Sequence, residues 1–175
     1  MAEALLFRIV KAKPHHFAAI QEVELAAFET LRVAGAVSGQ PEASTEEELE
    51  RYLEDDLLLI ALSADDAVIG YAGAYGVPEE ACLHLGEIDV HPDHQGQGIG
   101  RRLVSALMDE ARERGMLQAS LTTDRLAPFN AGFYQAMGFV MRDGADCPPR
   151  LAGLLQMESA KGLDPKRRCA MTASL

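Results

Sequence analysis

Gly96, Gly98 and Gly100 alternate at the junction between a strand-like run ending at Val90 and an amphipathic helical run ending at Gly115. Such a junction suits an anion. Glycine lets the backbone turn with its N–H groups inward, and the first turn of a helix adds unpaired donors and the positive end of a dipole. Arg101 and Arg102 fall in that first turn, where the dipole disfavours each cation by about 0.3–1 kcal/mol. Two readings fit them: solvated surface arginines, or partners of an anionic ligand that offsets the cost. The spacing excludes two phosphate motifs. A dinucleotide fingerprint, G-x-G-x-x-G, meets Arg101 or Leu103 at its last position, and a P-loop needs Lys and Ser/Thr where Ile99, Gly100 and Arg101 follow Gly98.

The strand ahead of the glycines carries residues able to move protons. Apolar side chains fall at Leu83 and Leu85 and then at Ile88 and Val90, so the alternation slips by one near Gly86 and Glu87. A β-bulge at Gly86 restores one buried face and gathers His84, Glu87 and Asp89 on the polar face. His84, with an ordinary pKa of about 6.5, and Glu87 are candidates for a general base; Glu87 suits action through water or anchoring a cationic acceptor. Each also reads as a merely hydrogen-bonded polar residue. No metal site is expected. His91 and His94 flank a turn with no third ligand nearby, and the adjacent His15 and His16 point to different sides of a helix.

The elements around these residues follow from periodicity. Leu5 to Ala12 predicts a first strand, Pro14 opens a helix to about Leu31, and residues 32–43 read as a loop. Ser44 with Glu47 reads as a capping box for a helix carrying Leu49 and Leu53 inward. Leu57–Leu62 and Val68–Val77 predict a hairpin turned at Asp65-Asp66. The helix after the glycines places Leu103, Val104, Leu107, Met108 and Ala111 inward, and Met116–Thr123 supplies a parallel strand. A strand over Phe139–Arg142, a helix from Leu151 to about Gly162 and a strand over Cys169–Ala173 complete the sheet or pack against a partner. The implied class is α/β (α+β), with a mixed sheet of six to seven strands, antiparallel first and parallel at the glycine loop.

Gln95-x-x-Gly98-x-Gly100, directly after the strand end Val90-His91-Pro92, resembles the pyrophosphate-binding loop of the GNAT superfamily of acyl-CoA-dependent N-acetyltransferases. Pro128-Phe-Asn-Ala-Gly-Phe-Tyr-Gln-Ala-Met-Gly-Phe139 resembles a variant of that family's second signature, in which Ala127 and Asn130 hold places that many members fill with Asn and Ala. The resemblance is strong over residues 83–140 and architectural outside them. It implies the GNAT fold with a bulge in its fourth strand, and acetyl-CoA bound by Ile88, Val90, Gln95, Gly96, Gln97, Gly98, Ile99, Gly100, Arg101, Asn130 and Phe133. It further implies an oxyanion donor at the Val90 N–H, a leaving-group acid at Tyr134, and transfer to a primary amine within a ternary complex. An acyl-CoA-binding regulatory domain without turnover is the alternative. The acceptor is a small-molecule or peptide amine of unspecified type, and homodimers are frequent in the resembled family.

Composition narrows the partners. The chain has 175 residues, the expected size of one domain, and a net charge of −11 that argues against nucleic acid and anionic membranes, which are bound mainly through Lys and Arg. No apolar run approaches the ~18 residues of a transmembrane helix. The N-terminal run lacks the order of a signal peptide, and Cys82, Cys147 and Cys169 share no ligand spacing, so a cytoplasmic protein with reduced cysteines is expected.

Overall fold

A seven-stranded mixed sheet organises the chain in the computed structural model, which describes residues 6–127 and 130–175. Leu5 of the expected first strand, and Pro128 and Phe129 of the second signature, lie outside the described residues. The strands are β1 (Phe7–Lys11), β2 (Leu58–Ser63), β3 (Val68–Val77), β4 (Cys82–Val90), β5 (Gln118–Asp124), β6 (Val140–Arg142) and β7 (Arg168–Ser174). Their spatial order is β1-β2-β3-β4-β5-β7-β6, and β4 with β5 form the parallel pair. The tail completes the sheet: β7 inserts between β5 and β6, antiparallel to both.

Two helical layers cover the sheet. On one face lie α3 (Ile99–Glu113) and α4 (Ala131–Gln135), whose Leu103, Leu107 and Ala131 join Leu59, Ala72, Leu83 and Leu121 in one apolar cluster. On the other lie α1 (Phe17–Val33) and α2 (Glu46–Glu54), whose Ile20, Val23 and Leu49 meet Leu58, Ile60 and Tyr71. α5 (Pro149–Ala160) covers β5 and β7. Burying a Leu, Ile or Val side chain contributes about 1.5–3 kcal/mol, so the stripe of Ile99, Leu103, Val104 and Leu107 holds α3 and the glycine junction at its head.

The second helix starts one residue later than its sequence suggests. Thr45 rather than Ser44 is the cap: its hydroxyl accepts from Glu48 N–H at 3.2 Å, and the Glu48 carboxylate accepts from Thr45 N–H at 2.8 Å. Ser44 is engaged elsewhere, because its N–H and Oγ both donate to Glu24 of α1, at 2.8 and 2.9 Å. α1 itself runs to Val33, which shortens the following loop.

Candidate functional site

The expected bulge is present. Gly73 of β3 pairs with Glu87 while Ala74 pairs with Leu85, leaving Gly86 unopposed. Its consequence falls on the neighbouring strand. β4 and β5 pair only at Cys82–Gln118, Leu83–Ala119 and His84–Ser120, and past the bulge they part, so a gap opens between residues 85–90 and 121–124. His91 N–H donates to Ile69 O of β3, so by the alternation of an antiparallel ladder Ile88 and Val90 turn their backbone groups toward the gap. The Val90 carbonyl accepts there from Gln95 Nε2 at 3.1 Å. Tyr52 of α2 presses on the bulge from the other face. A Cβ added to Gly86 would lie 2.3 Å from the Tyr52 hydroxyl, and one added to Gly73 would lie 2.3 Å from its ring.

At the mouth of the gap the glycine loop forms a bed of donors. None of the N–H groups from Gly96 through Arg101 donates to an acceptor among the described residues; the first to do so is Arg102, bonded to Gly98 O at 3.1 Å. Gly96 and Gly98 have φ of 77° and 79°, a left-handed conformation that side chains rarely adopt. A run of inward N–H groups at a helix start is an anion site. The two arginines divide. Arg101 lines the cavity, whereas the guanidinium of Arg102 sits 5.5 Å from the Phe7 ring centroid, a structural role.

Loop, gap and α1 enclose one cavity of about 880 Å³, within the usual range for a ligand site. It brings together Glu87, Ile88, Val90, Gln95, Gly96, Gly98, Ile99, Gly100, Arg101, Asn130, Phe133 and Tyr134. Gln97 is exposed and lies outside the lining. So does His84, the other expected base. Its ring is buried, its Nδ1 lies 2.9 Å from Ser120 Oγ and 3.2 Å from Arg150 Nη1, and Arg150 also makes a bidentate pair with Glu80. Burial, then the charges of Arg150 and Arg51, lower its pKa to about 3. The phase argument placed His84 and Glu87 on one face correctly, but α5 covers the His84 end of that face and leaves the Glu87 end open.

Glu87 lines the cavity and is exposed, and Asp89 lies half-buried beside it. Glu24 of α1 completes a trio whose carboxylate oxygens lie within 4.8 Å of one another. Withdrawal from water, and then the charge of Glu24, raise the Glu87 pKa to about 8; withdrawal from water, and then Glu87, raise Asp89 well above the usual carboxylate range. Across the cavity Tyr134 is buried between Phe133 and Phe139, with ring centroids at 5.0 and 5.7 Å. Burial, then Glu87 and Asp89, push its phenol above the ordinary value. It is therefore a neutral donor at physiological pH. Such a cavity can bind a phosphorylated, elongated ligand along its loop and gap, take a proton from an amine at Glu87 and donate a hydrogen bond from Tyr134.

Several lining groups carried no sequence signal. Glu24 adjoins the apolar stripe of α1 and resembles any solvated helix residue until the fold carries it to β4. Arg168 and Glu158 pair at 2.9 Å, and both reach Thr122 Oγ1, at 3.3 and 2.5 Å. Asp124, fully buried at the end of β5, accepts at 2.7 Å from Leu126 N–H, Ala127 N–H and Arg167 Nε, so it shapes the approach to Asn130.

The sequence profile of the Acetyltransferase (GNAT) family matches residues 17–139. An L-amino acid N-acyltransferase of Escherichia coli (strain K12) is 44% identical over 54 residues, 30% of each chain. A ribosomal protein bS18-alanine N-acetyltransferase of Salmonella typhimurium is 34% identical over 90 residues, 51% of this chain and 56% of the relative. The matches thus span 30% and 56% of these two relatives' own length. Among solved structures, the PaiA N-acetyltransferase from Thermoplasma acidophilum, in complex with coenzyme A, superposes with a TM-score of 0.75 over 97% of this chain and 99% of that one, at 18% identity.

Proposed function

Because the chain belongs to the GNAT acetyltransferase family, we propose that it transfers the acetyl group of acetyl-CoA to a primary amine by direct attack within a ternary complex. The observation that carries this reading is the parting of β4 from β5 beside an unbonded run of N–H groups. The run from Gly96 to Arg101 receives the pyrophosphate, helped by the Arg101 charge, and the backbone edge at Ile88 and Val90 receives the amide groups of the pantetheine arm. Gln95 holds the turn by its bond to Val90 O. Asn130 and Phe133, with Ile99 and Gly100, shape the apolar wall against which the arm lies.

Three groups divide the chemistry. Glu87, held near neutral pKa, takes the proton from the acceptor ammonium, directly or through one water. The Val90 N–H donates to the carbonyl oxygen as negative charge develops on it. Tyr134 donates a hydrogen bond to the departing sulfur. Its raised pKa makes full proton transfer unfavourable, so its contribution is a bond that strengthens as thiolate charge grows. No cysteine lies in the cavity lining among the described residues, in keeping with direct transfer.

The test is calorimetry of acetyl-CoA with the wild type and Gly98→Glu, followed by measurement of CoA release with a panel of amines. Binding should be lost in the variant, whose side chain is forced into a left-handed conformation and whose charge repels the pyrophosphate. Equal affinity in both proteins would remove the loop from the site.

A further inference from the structure

The acidic trio exceeds what acetyl transfer needs. One carboxylate suffices to accept a proton, yet Glu24, Glu87 and Asp89 converge within 4.8 Å, and neither Glu87 nor Asp89 accepts a hydrogen bond or pairs with a cation among the described residues. Arg101, Lys161 and Arg168 also line the cavity, and none of them pairs with the trio among the described residues. Arg168 is bound to Glu158 and Thr122, and Arg101 stands on the glycine loop. A second, independent observation comes from the opposite strand. Tyr71 pairs with Asp89 across the β3–β4 ladder and is fully buried, and its hydroxyl reaches Ser44 and Glu24 without completing a hydrogen bond. Burying a hydroxyl without a partner is destabilising, so its presence beside carboxylates without cations points to a polar guest.

We propose that Glu24, Asp89 and the Tyr71 hydroxyl seat an ammonium group beside Glu87, and that the acceptor is an alkyl amine carrying at least two positive charges, one nitrogen held in that seat while another reaches the thioester and gives its proton to Glu87. This deepens the acetyl-transfer reading and rests on it for the second nitrogen's fate. An ammonium offers three donors, which two carboxylates and one hydroxyl oxygen can accept. The cavity wall toward α1 and its following loop carries Ala27, Phe28, Leu31 and Val37, which match an alkyl spacer between two amines, with Thr30 and Glu42 among them. A divalent cation is the competing guest, because the carboxylates offer oxygen ligands and water completes such a shell, and titration with the metal ion alone decides between the two. The trio's negative charge argues against a free amino acid, whose carboxylate it would repel.

The experiment is calorimetric titration of the protein with 1,4-diaminobutane, butylamine and β-alanine at pH 7.5, repeated with Asp89→Asn and with Ca²⁺ or Mn²⁺ alone. The diamine should bind at least about tenfold more tightly than butylamine, as charge-assisted bonds from a second ammonium require, and Asp89→Asn should erase that preference. Binding should also release protons, seen as a dependence of the heat on buffer ionisation, because an ammonium favours the charged carboxylates. Equal affinity for the two amines, preference for β-alanine, or displacement of the diamine by the metal ion would each overturn the proposal. CoA release, read separately with acetyl-CoA, distinguishes the two levels. A diamine that binds in this way without turnover overturns the acetyl-transfer reading alone, and turnover with equal kcat/KM for both amines overturns the dication reading alone.

Discussion

Gly86→Ala tests whether the bulge is locked by the aromatic ring above it. The added Cβ would lie 2.3 Å from the Tyr52 hydroxyl oxygen and 2.8 Å from Cε1 and Cζ, so the ring must leave its place. Tyr52 cannot slide toward Gly73, where a ring atom already stands 2.3 Å from the position of a Cβ. Overpacking of this kind costs about 1–3 kcal/mol, and with contacts this close the upper half of that range is expected. For a chain of this length that is a fall in Tm of roughly 4–12 °C, measurable by differential scanning calorimetry. Tyr52→Ala should itself cost about 3 kcal/mol through the cavity it leaves. The double variant should then cost no more than Tyr52→Ala alone, because the clash has no partner, giving a coupling energy of about 2–3 kcal/mol in the double-mutant cycle. Acetyl-CoA affinity should weaken in Gly86→Ala and return in the double variant if the displaced strand is what narrows the gap. Additive stability losses, or a Gly86→Ala protein within ~0.5 kcal/mol of wild type, would refute the lock.

Three further perturbations bear on chemistry and stability. With Glu87 titrating at about 8, activity should rise with pH through that value, and Glu87→Gln should remove the rise while leaving acetyl-CoA affinity within about threefold. The same shift predicts stability of the opposite slope: the folded state keeps a proton that the unfolded state releases above its value of 4.5, so stability falls as pH rises from about 4.5 to 8, and Glu87→Gln should flatten the Tm-against-pH curve there. Tyr134→Phe should keep the fold and cofactor affinity and lower kcat by about 10²–10⁴-fold; turnover within about threefold of wild type would reduce Tyr134 to a packing residue. Burial raises the Asp124 pKa, but the Arg167 guanidinium and the Ala127 and Leu126 N–H groups outweigh it and hold the carboxyl below its ordinary value, so its stabilisation is present above about 4 and lost as pH falls through the lower folded value. Asp124→Asn should cost about 3 kcal/mol at pH 7 by chemical denaturation, with the difference from wild type shrinking under acid.

The half of the candidate site proposed for the cofactor was legible because its physics is local. A phase slip in one strand marks the bulge at Gly86, and alternating glycines before an apolar stripe mark the turn and the helix start, with no knowledge of what packs where. The half proposed for the acceptor depends on tertiary meetings. Glu24 lies more than sixty residues from Glu87, and Ser44 read as a helix cap because the carboxylate that claims its N–H and hydroxyl is invisible to a local pattern. His84 was misread for the same reason. Its strand and face were right, but a polar face is solvent-facing only where nothing covers it, and the covering Arg150 comes from a helix 66 residues away.

The three residue pairs that join β4 to β5 also join two halves of the molecule, β1 to β4 on one side and β5, β7 and β6 on the other. Mechanically this is a pair of tongs with its pivot at Cys82, Leu83 and His84 and its tips at Val90 and Asp124. Arg150 rivets the pivot, grasping Glu80 and His84 on one arm and Ser120 on the other. From His84 to Val90 the arm extends about 20 Å, so a turn of roughly 3° at the pivot moves the tip by about 1 Å, enough to make or break hydrogen bonds along the gap. A substitution at Arg150, outside the cavity lining, thereby acts on the width of the jaws.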